Sequence, residues 1–134
     1  MARYVIDAPT LLHLVDGAAP IDSSHQLVAP NRIRSEALEL LLDDVRRGTR
    51  TEKEALALHE RMTEVKMRLL GDRVSRRNAW DIARERDWDT LRDAEYLAVT
   101  KLQADALVTI DAGLAEKADG VVPLAELTEL LTNG

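Results

Sequence analysis

The chain reads as an α/β protein, a three-layer α/β/α sandwich around a mostly parallel five-stranded sheet. Three observations predict it. Short β-branched runs alternate with longer segments whose apolar residues recur every three or four positions. The connections between these segments are short. Two of the runs, Tyr4-Val5-Ile6 and Ala106-Leu107-Val108-Thr109-Ile110, close on an aspartate, with helix-forming sequence directly after it. That layout sets Asp7 and Asp111 at the carboxyl edge of a parallel sheet, where open α/β folds bind their ligands.

Strand 1 is expected over about residues 3–7. Pro9 suits a first helical turn, and Leu11, Leu12, Leu14 and Val15 form a short apolar helix that stops at Asp16-Gly17. Residues 18–26 read as a loop, and Leu27-Val28-Ala29 as a strand closed by Pro30. From about 32 to 47, Ile33, Ala37, Leu38, Leu41, Leu42 and Val45 make a core-facing stripe that Gly48 ends. Thr51 with Glu54 has capping-box spacing and opens a helix over about 51–66, with Ala55, Leu58, Met62 and Val65 inward. Met67 to Leu70 is a third strand, broken by Gly71.

A helix over 73–86 carries Val74, Trp80, Ile82 and Ala83, and Thr90 with Asp93 repeats the capping pattern ahead of a helix over 90–103. Its stripe is Leu91, Ala94, Leu97, Ala98 and Leu102. Strand 4, 106–110, delivers Asp111, and a short helix forms around Leu114. Gly120-Val121-Val122 is the fifth strand, and Pro123 leads into a terminal helix through Leu131.

A chain of 134 residues is one domain, 1–134, with no internal repeat or domain-sized linker. The longest apolar runs are too short to span a membrane, and the N-terminus lacks the layout of a secretory signal. With no cysteine, disulfides and thiolate chemistry are excluded, and the expected location is cytoplasmic. The net charge of −6 argues against nucleic-acid binding through the overall field. Local clusters differ: Arg46 and Arg47, and Arg73, Arg76 and Arg77, are the candidate RNA contacts.

Four acids are the candidate catalytic residues: Asp7, Glu36, Asp93 and Asp111. Each also has a plain structural role open to it. Asp7 and Asp111 have the position of helix caps, and Asp93 that of a capping-box acid. Glu36 lies three residues after Ile33 and four before Leu40, at the margin of a buried stripe, where a carboxylate needs a metal or an arginine partner. Carboxylates crowded in one cleft must gain a cation or take up protons. Oxygen-only donors suit Mg²⁺ or Mn²⁺, while His13, His25 and His59 show no ligand spacing.

Taken together, these residues resemble the PIN-domain ribonucleases, most closely the small VapC-like toxins of bacterial toxin–antitoxin pairs. Tyr4-Val5-Ile6-Asp7-Ala8 resembles the family's opening strand and first acid, and Ser35-Glu36-Ala37-Leu38 the helix that carries its glutamate. Arg92-Asp93-Ala94-Glu95-Tyr96-Leu97-Ala98 resembles its Asp-Ala helix start, and Leu107-Val108-Thr109-Ile110-Asp111 its Thr-x-Asp strand end. One departure is Pro9, where the family often has Ser or Thr; the neighbouring Thr10 is expected to point elsewhere.

The resemblance implies a PIN-like fold and a Mg²⁺- or Mn²⁺-dependent endoribonuclease that leaves 5′-phosphate and 3′-hydroxyl ends. Asp7, Asp93 and Asp111 are then the expected metal ligands. Glu36 is expected to hold a second ion or orient the attacking water, and Thr109 to donate a hydrogen bond to an acid. A homodimer and a cognate antitoxin, its arginine-bearing tail in the acidic cleft, are the implied partners, meeting the apolar surface of the helices after Pro30 and Thr51. The competing reading is a catalytically weak or inactive PIN-like partner-binding module. A phospho-acceptor receiver domain would need a second acid beside Asp7, and a dinucleotide-binding domain a Gly-x-Gly-x-x-Gly after strand 1.

Overall fold

A computed structural model describes residues 2–17 and 20–131 of the chain. Four strands form the sheet: β1 (Arg3–Ile6), β2 (Gln26–Pro30), β3 (Arg68–Leu70) and β4 (Ala106–Val108). Their order is β3-β2-β1-β4 and every pairing is parallel. Six helices accompany them: α1 (Ala8–Gly17), α2 (Ile33–Arg47), α3 (Glu52–Thr63), α4 (Arg73–Arg86), α5 (Arg92–Gln103) and α6 (Ala112–Ala118). A 3₁₀ turn, Leu127–Leu130, follows them.

The strand order fixes where the helices go. From β1 to β2 to β3 the chain steps one way across the sheet; from β3 to β4 it steps back. Right-handed crossovers therefore put α1, α2 and α3 on one face and α4 and α5 on the other. The contacts agree, since α1, α2 and α3 pack on one another while α5 packs on α4, β1, β2 and β4. Covered on both faces, β1 and β4 run as continuous apolar segments, with Val5, Ile6, Leu107 and Val108 fully buried. The reversal lies between neighbours β1 and β4, and in open parallel sheets the crevice outside such a reversal is the ligand site.

Local signals account for most boundaries. Thr51 and Glu54 form the expected reciprocal capping box at the start of α3. Gly48 ends α2 in a left-handed conformation (φ 79°), its N–H turned back on the carbonyls of Asp44 and Val45. Asp72 caps α4 by accepting from the Ser75 N–H at 2.8 Å.

The sheet has four strands instead of the expected five. Gly120 takes a left-handed turn (φ 77°) and Pro123 has no N–H to offer, so Gly120-Val121-Val122 does not extend. What remains is a single parallel bridge, Leu107 to Leu124, in which Leu107 donates to the Pro123 carbonyl and accepts from the Ala125 N–H, each at 2.9 Å. The terminal helix is likewise only the 3₁₀ turn, and Leu131 forms an isolated antiparallel bridge to Ile21. β4 ends at Val108, before Thr109 and Ile110. Of the loop read over 18–26, Ala18 and Ala19 lie outside the described residues.

Several expected core residues face outward. Leu38 and Leu42 of α2, Val74 and Trp80 of α4, and Leu91 and Leu102 around α5 are exposed. Their helices bury narrower faces: Ile33, Ala37 and Leu41 in α2, and Ser75, Ala79, Ile82 and Ala83 in α4.

Candidate functional site

Asp7 is the first residue past β1 and is 3% exposed, which makes it the most deeply buried acid among the described residues. Burial disfavours the charged form, and the structure answers with neutral donors. Oδ1 accepts from the Thr10 hydroxyl and, at 3.3 Å, from the Thr10 N–H, capping the first turn of α1. Oδ2 accepts from the Thr109 hydroxyl at 2.8 Å. Burial pushes the Asp7 carboxyl above its ordinary range, and the hydrogen bonds from Thr10 and Thr109 pull the other way. No lysine or arginine neutralises it among the described residues.

The two threonines also receive. Thr10 Oγ1 accepts from the Ile110 N–H and Thr109 Oγ1 from the Asp111 N–H, each at 3.0 Å. Thr10, expected to point elsewhere, thus closes onto Asp7 and ties the β1–α1 junction to the segment after β4. The capping spacing of Asp7 and Thr10 is the sequence signal that finds it. Asp111, exposed, caps α6 by accepting from the Gly113 N–H at 2.9 Å.

Glu36 sits in the first turn of α2, just beyond the carboxyl end of β2. Arg32 Nε stands 2.9 Å from Glu36 Oε1 as an ion pair whose N–H is not aimed for a hydrogen bond, and Arg32 also reaches Glu95. Burial raises the Glu36 carboxyl, against the pull of Arg32 and Arg92. Tyr96 of α5 is buried beside it, its hydroxyl facing the Glu36 carboxyl outside strict hydrogen-bond geometry. Burial chiefly, then the charges of Glu36 and Asp7, push that hydroxyl far above its ordinary range. The one side chain feels both acids, so Asp7 and Glu36 face a common neighbourhood.

Asp93 lies in the first turn of α5. Only two residues separate the end of that helix, Gln103, from the amino end of β4, so its opposite end rises to the carboxyl edge. The expected Thr90 capping box is absent: α5 starts at Arg92, and Leu91, at the cap position, makes no side-chain cap bond. The Asp93 carboxylate instead binds Lys117 of α6 at 2.7 Å, and Lys117 lies 5.1 Å from the centre of the Trp88 ring. Nothing in the local sequence marks Lys117. Arg32, by contrast, was legible as the i,i+4 partner of Glu36.

Among the candidate RNA contacts, Arg73, Arg76 and Arg77 are exposed at the start of α4, directly after β3. Arg46 and Arg47 are exposed in the last turn of α2, about 15 Å along the helix from Glu36 at 1.5 Å per residue.

All four acids therefore line the carboxyl side of the sheet, each with its own partner. Among the described residues, no three acidic or histidine side chains are close enough together to hold a metal ion as they stand. The expected convergence of Asp7, Asp93 and Asp111 on one ion is thus not present in the side-chain positions. In donor chemistry the set fits a hard divalent cation. Asp7 offers an uncompensated carboxylate; the Asp111 backbone is tied to Thr109 through its N–H while its carboxylate caps α6, and Asp93 is committed to Lys117.

No family model matches this chain, and no curated protein matches it. Among solved structures it is similar to the crystal structure of PAE2754 from Pyrobaculum aerophilum, with a TM-score of 0.69 and 23% identity over 96% of this chain and 93% of that one. At that identity the likeness is one of fold, and it extends over nearly the whole of both chains.

Proposed function

We propose that this chain is a Mg²⁺- or Mn²⁺-dependent endoribonuclease of the PIN type, acting as a VapC-like toxin restrained by a cognate antitoxin. One observation carries the reading: a buried, uncompensated aspartate at the strand-order reversal, its two oxygens oriented by hydroxyls from both neighbouring junctions. A structural aspartate at a helix cap gains nothing from such burial, whereas a ligand for a hard cation gains a fixed orientation and a strong local field.

Asp7 and Asp111 would hold the ion, with Asp93 joining once Lys117 releases it. The bound cation would supply charge neutralisation at the scissile phosphate and a lowered pKa for water. Thr10 and Thr109 hold the Asp7 carboxylate in one orientation. Glu36, with its charge disfavoured by burial, is suited to orient the attacking water by accepting its proton. The aliphatic groove between α2 and α3, a cavity of about 480 Å³ walled by Leu38, Leu42, Val45 and Leu56, would receive the antitoxin or a second copy of the chain.

The test is cleavage of RNA by purified protein with Mg²⁺, with Mn²⁺ and with EDTA. Asp7→Asn is expected to lower the metal-dependent rate about 100-fold or more, since several kcal/mol of charge stabilisation depends on the ion. Full activity in that variant would refute the assignment.

The partner-binding module has its own support: Asp93 is neutralised by Lys117 and Glu36 by Arg32. Tight binding of a partner without metal-dependent cleavage by the wild-type chain would select it.

A further inference from the structure

The face of α4 turned away from the core carries a sequence pattern that the acidic edge does not use. Ser75, Ala79, Ile82 and Ala83 bury one side of the helix. On the other, Arg73, Arg77, Trp80 and Arg84 follow one another at four-, three- and four-residue steps, the spacing of a single helical face, with Arg76 flanking it. All five are exposed, Trp80 to 54%. The stripe extends about 16 Å at 1.5 Å per residue.

Trp80 has Arg76 and Arg77 one turn before it and Arg84 one turn after, so cations bracket its ring along the helix. Arg77 is shared with Asp81 at 3.3 Å, while Arg73 and Arg84 make no ion pair among the described residues. The place of α4 matters equally. Two residues separate it from the carboxyl end of β3, and its last residue is joined by residues 87–91 to the helix turn that carries Asp93. Both ends of the stripe therefore connect into the edge that bears the acids.

We infer that the outer face of α4 is a binding track for single-stranded RNA, with Trp80 as the base-stacking platform and Arg73, Arg77 and Arg84 as phosphate contacts. An exposed aromatic among cations is the arrangement that binds single strands independently of sequence. Exposed aliphatic side chains gather at the α2–α3 groove, at Leu38, Leu42 and Leu56, whereas α4 exposes Val74 as its one large aliphatic residue. The local track also answers the net charge of −6, which by itself repels a polyanion. The inference rests on the RNA reading above and names how that substrate reaches the acids.

The experiment is fluorescence anisotropy with labelled single-stranded oligouridylate, in EDTA so that binding is read without cleavage, over a range of salt. Trp80→Ala is expected to weaken binding about 10-fold, and Trp80→Phe to stay within about twofold of wild type. Replacing Arg73, Arg77 and Arg84 by Gln should flatten the slope of log affinity against log salt by about 2 units. These residues are exposed, so the variants keep the wild-type melting temperature. Equal binding by wild type and Trp80→Ala overturns the inference, as does absence of binding at low salt. Trp80→Ala that changes only self-association in sedimentation assigns the face to protein contact and overturns it too. The two proposals fail separately: Trp80-dependent binding without metal-dependent cleavage removes the nuclease, whereas cleavage with Trp80-independent binding removes the track.

Discussion

Asp7 and Asp93 lie on the same side of one sheet and are balanced in opposite ways. Asp7 is buried and held by hydroxyls and an amide, which satisfy its oxygens and leave its charge intact. Asp93 is half-buried and meets an ammonium, which cancels its charge outright. Neutral donors fix orientation without neutralising, so under the proposed function Asp7 is the acid open to an external cation. A salt bridge fixes and neutralises together, so Asp93 must first give up Lys117. Saturated hydrogen bonding is therefore a poor guide to whether an acid is free to act.

The largest expected effect breaks the Asp7 side. Beyond the loss of cleavage, Asp7→Asn should gain melting temperature relative to wild type as pH rises. The sign follows from proton linkage. The folded carboxyl is raised above its ordinary 3.8, so the folded chain binds the extra proton; the stability it contributes is complete below 3.8 and lost as pH rises through the folded value. Thermal melts across that range should show the gain in the variant growing with pH. A difference between variant and wild type that does not change with pH would remove the argument that burial strains Asp7.

Next in size is the hydroxyl bracing. Thr10→Val takes the hydroxyl bond from Asp7 Oδ1, which keeps the residue-10 N–H, and leaves the Ile110 N–H without a partner, at a cost of about 1–3 kcal/mol. Urea unfolding should record that loss, and an unchanged midpoint would mean that the hydroxyl does not brace the site.

The smallest effect on stability sharpens the Asp93 side. Lys117→Met removes a partly exposed pair, so stability should shift by no more than about 1 kcal/mol. The freed carboxylate should tighten Mn²⁺ binding about fivefold, the factor that about 1 kcal/mol carries. Titration of the melting temperature with Mn²⁺ measures this without substrate, and unchanged affinity would dissociate Asp93 from the ion.

Short-range signals were the legible ones. The strand that ends at Asp7, the Thr51–Glu54 box and the Gly48 stop all depend on neighbours within a few residues, and all stand in the structure, whereas β4 stops at Val108, ahead of Thr109-Ile110-Asp111. The Thr90–Asp93 pattern has the same local form and fails, with the carboxylate taken by Lys117, 24 residues on. The fifth strand fails because apolar residues between a left-handed glycine and a proline cannot sustain a ladder. Trp80 and Val74 were grouped with the apolar side of α4, yet a 3.6-residue period sets Trp80 with the arginines. The acids were legible as residues of the carboxyl edge, where they lie; which of them would be paired was not, because those partners lie on other elements.

The threonine braces carry one more consequence. The Ile110 and Asp111 amides sit in an irregular segment past the end of a strand, where hydrogen–deuterium exchange is ordinarily fast. Here each is held by a hydroxyl that is itself held by Asp7. Their exchange rates thus form an internal gauge of how that carboxylate is engaged, legible by nuclear magnetic resonance in the resting protein.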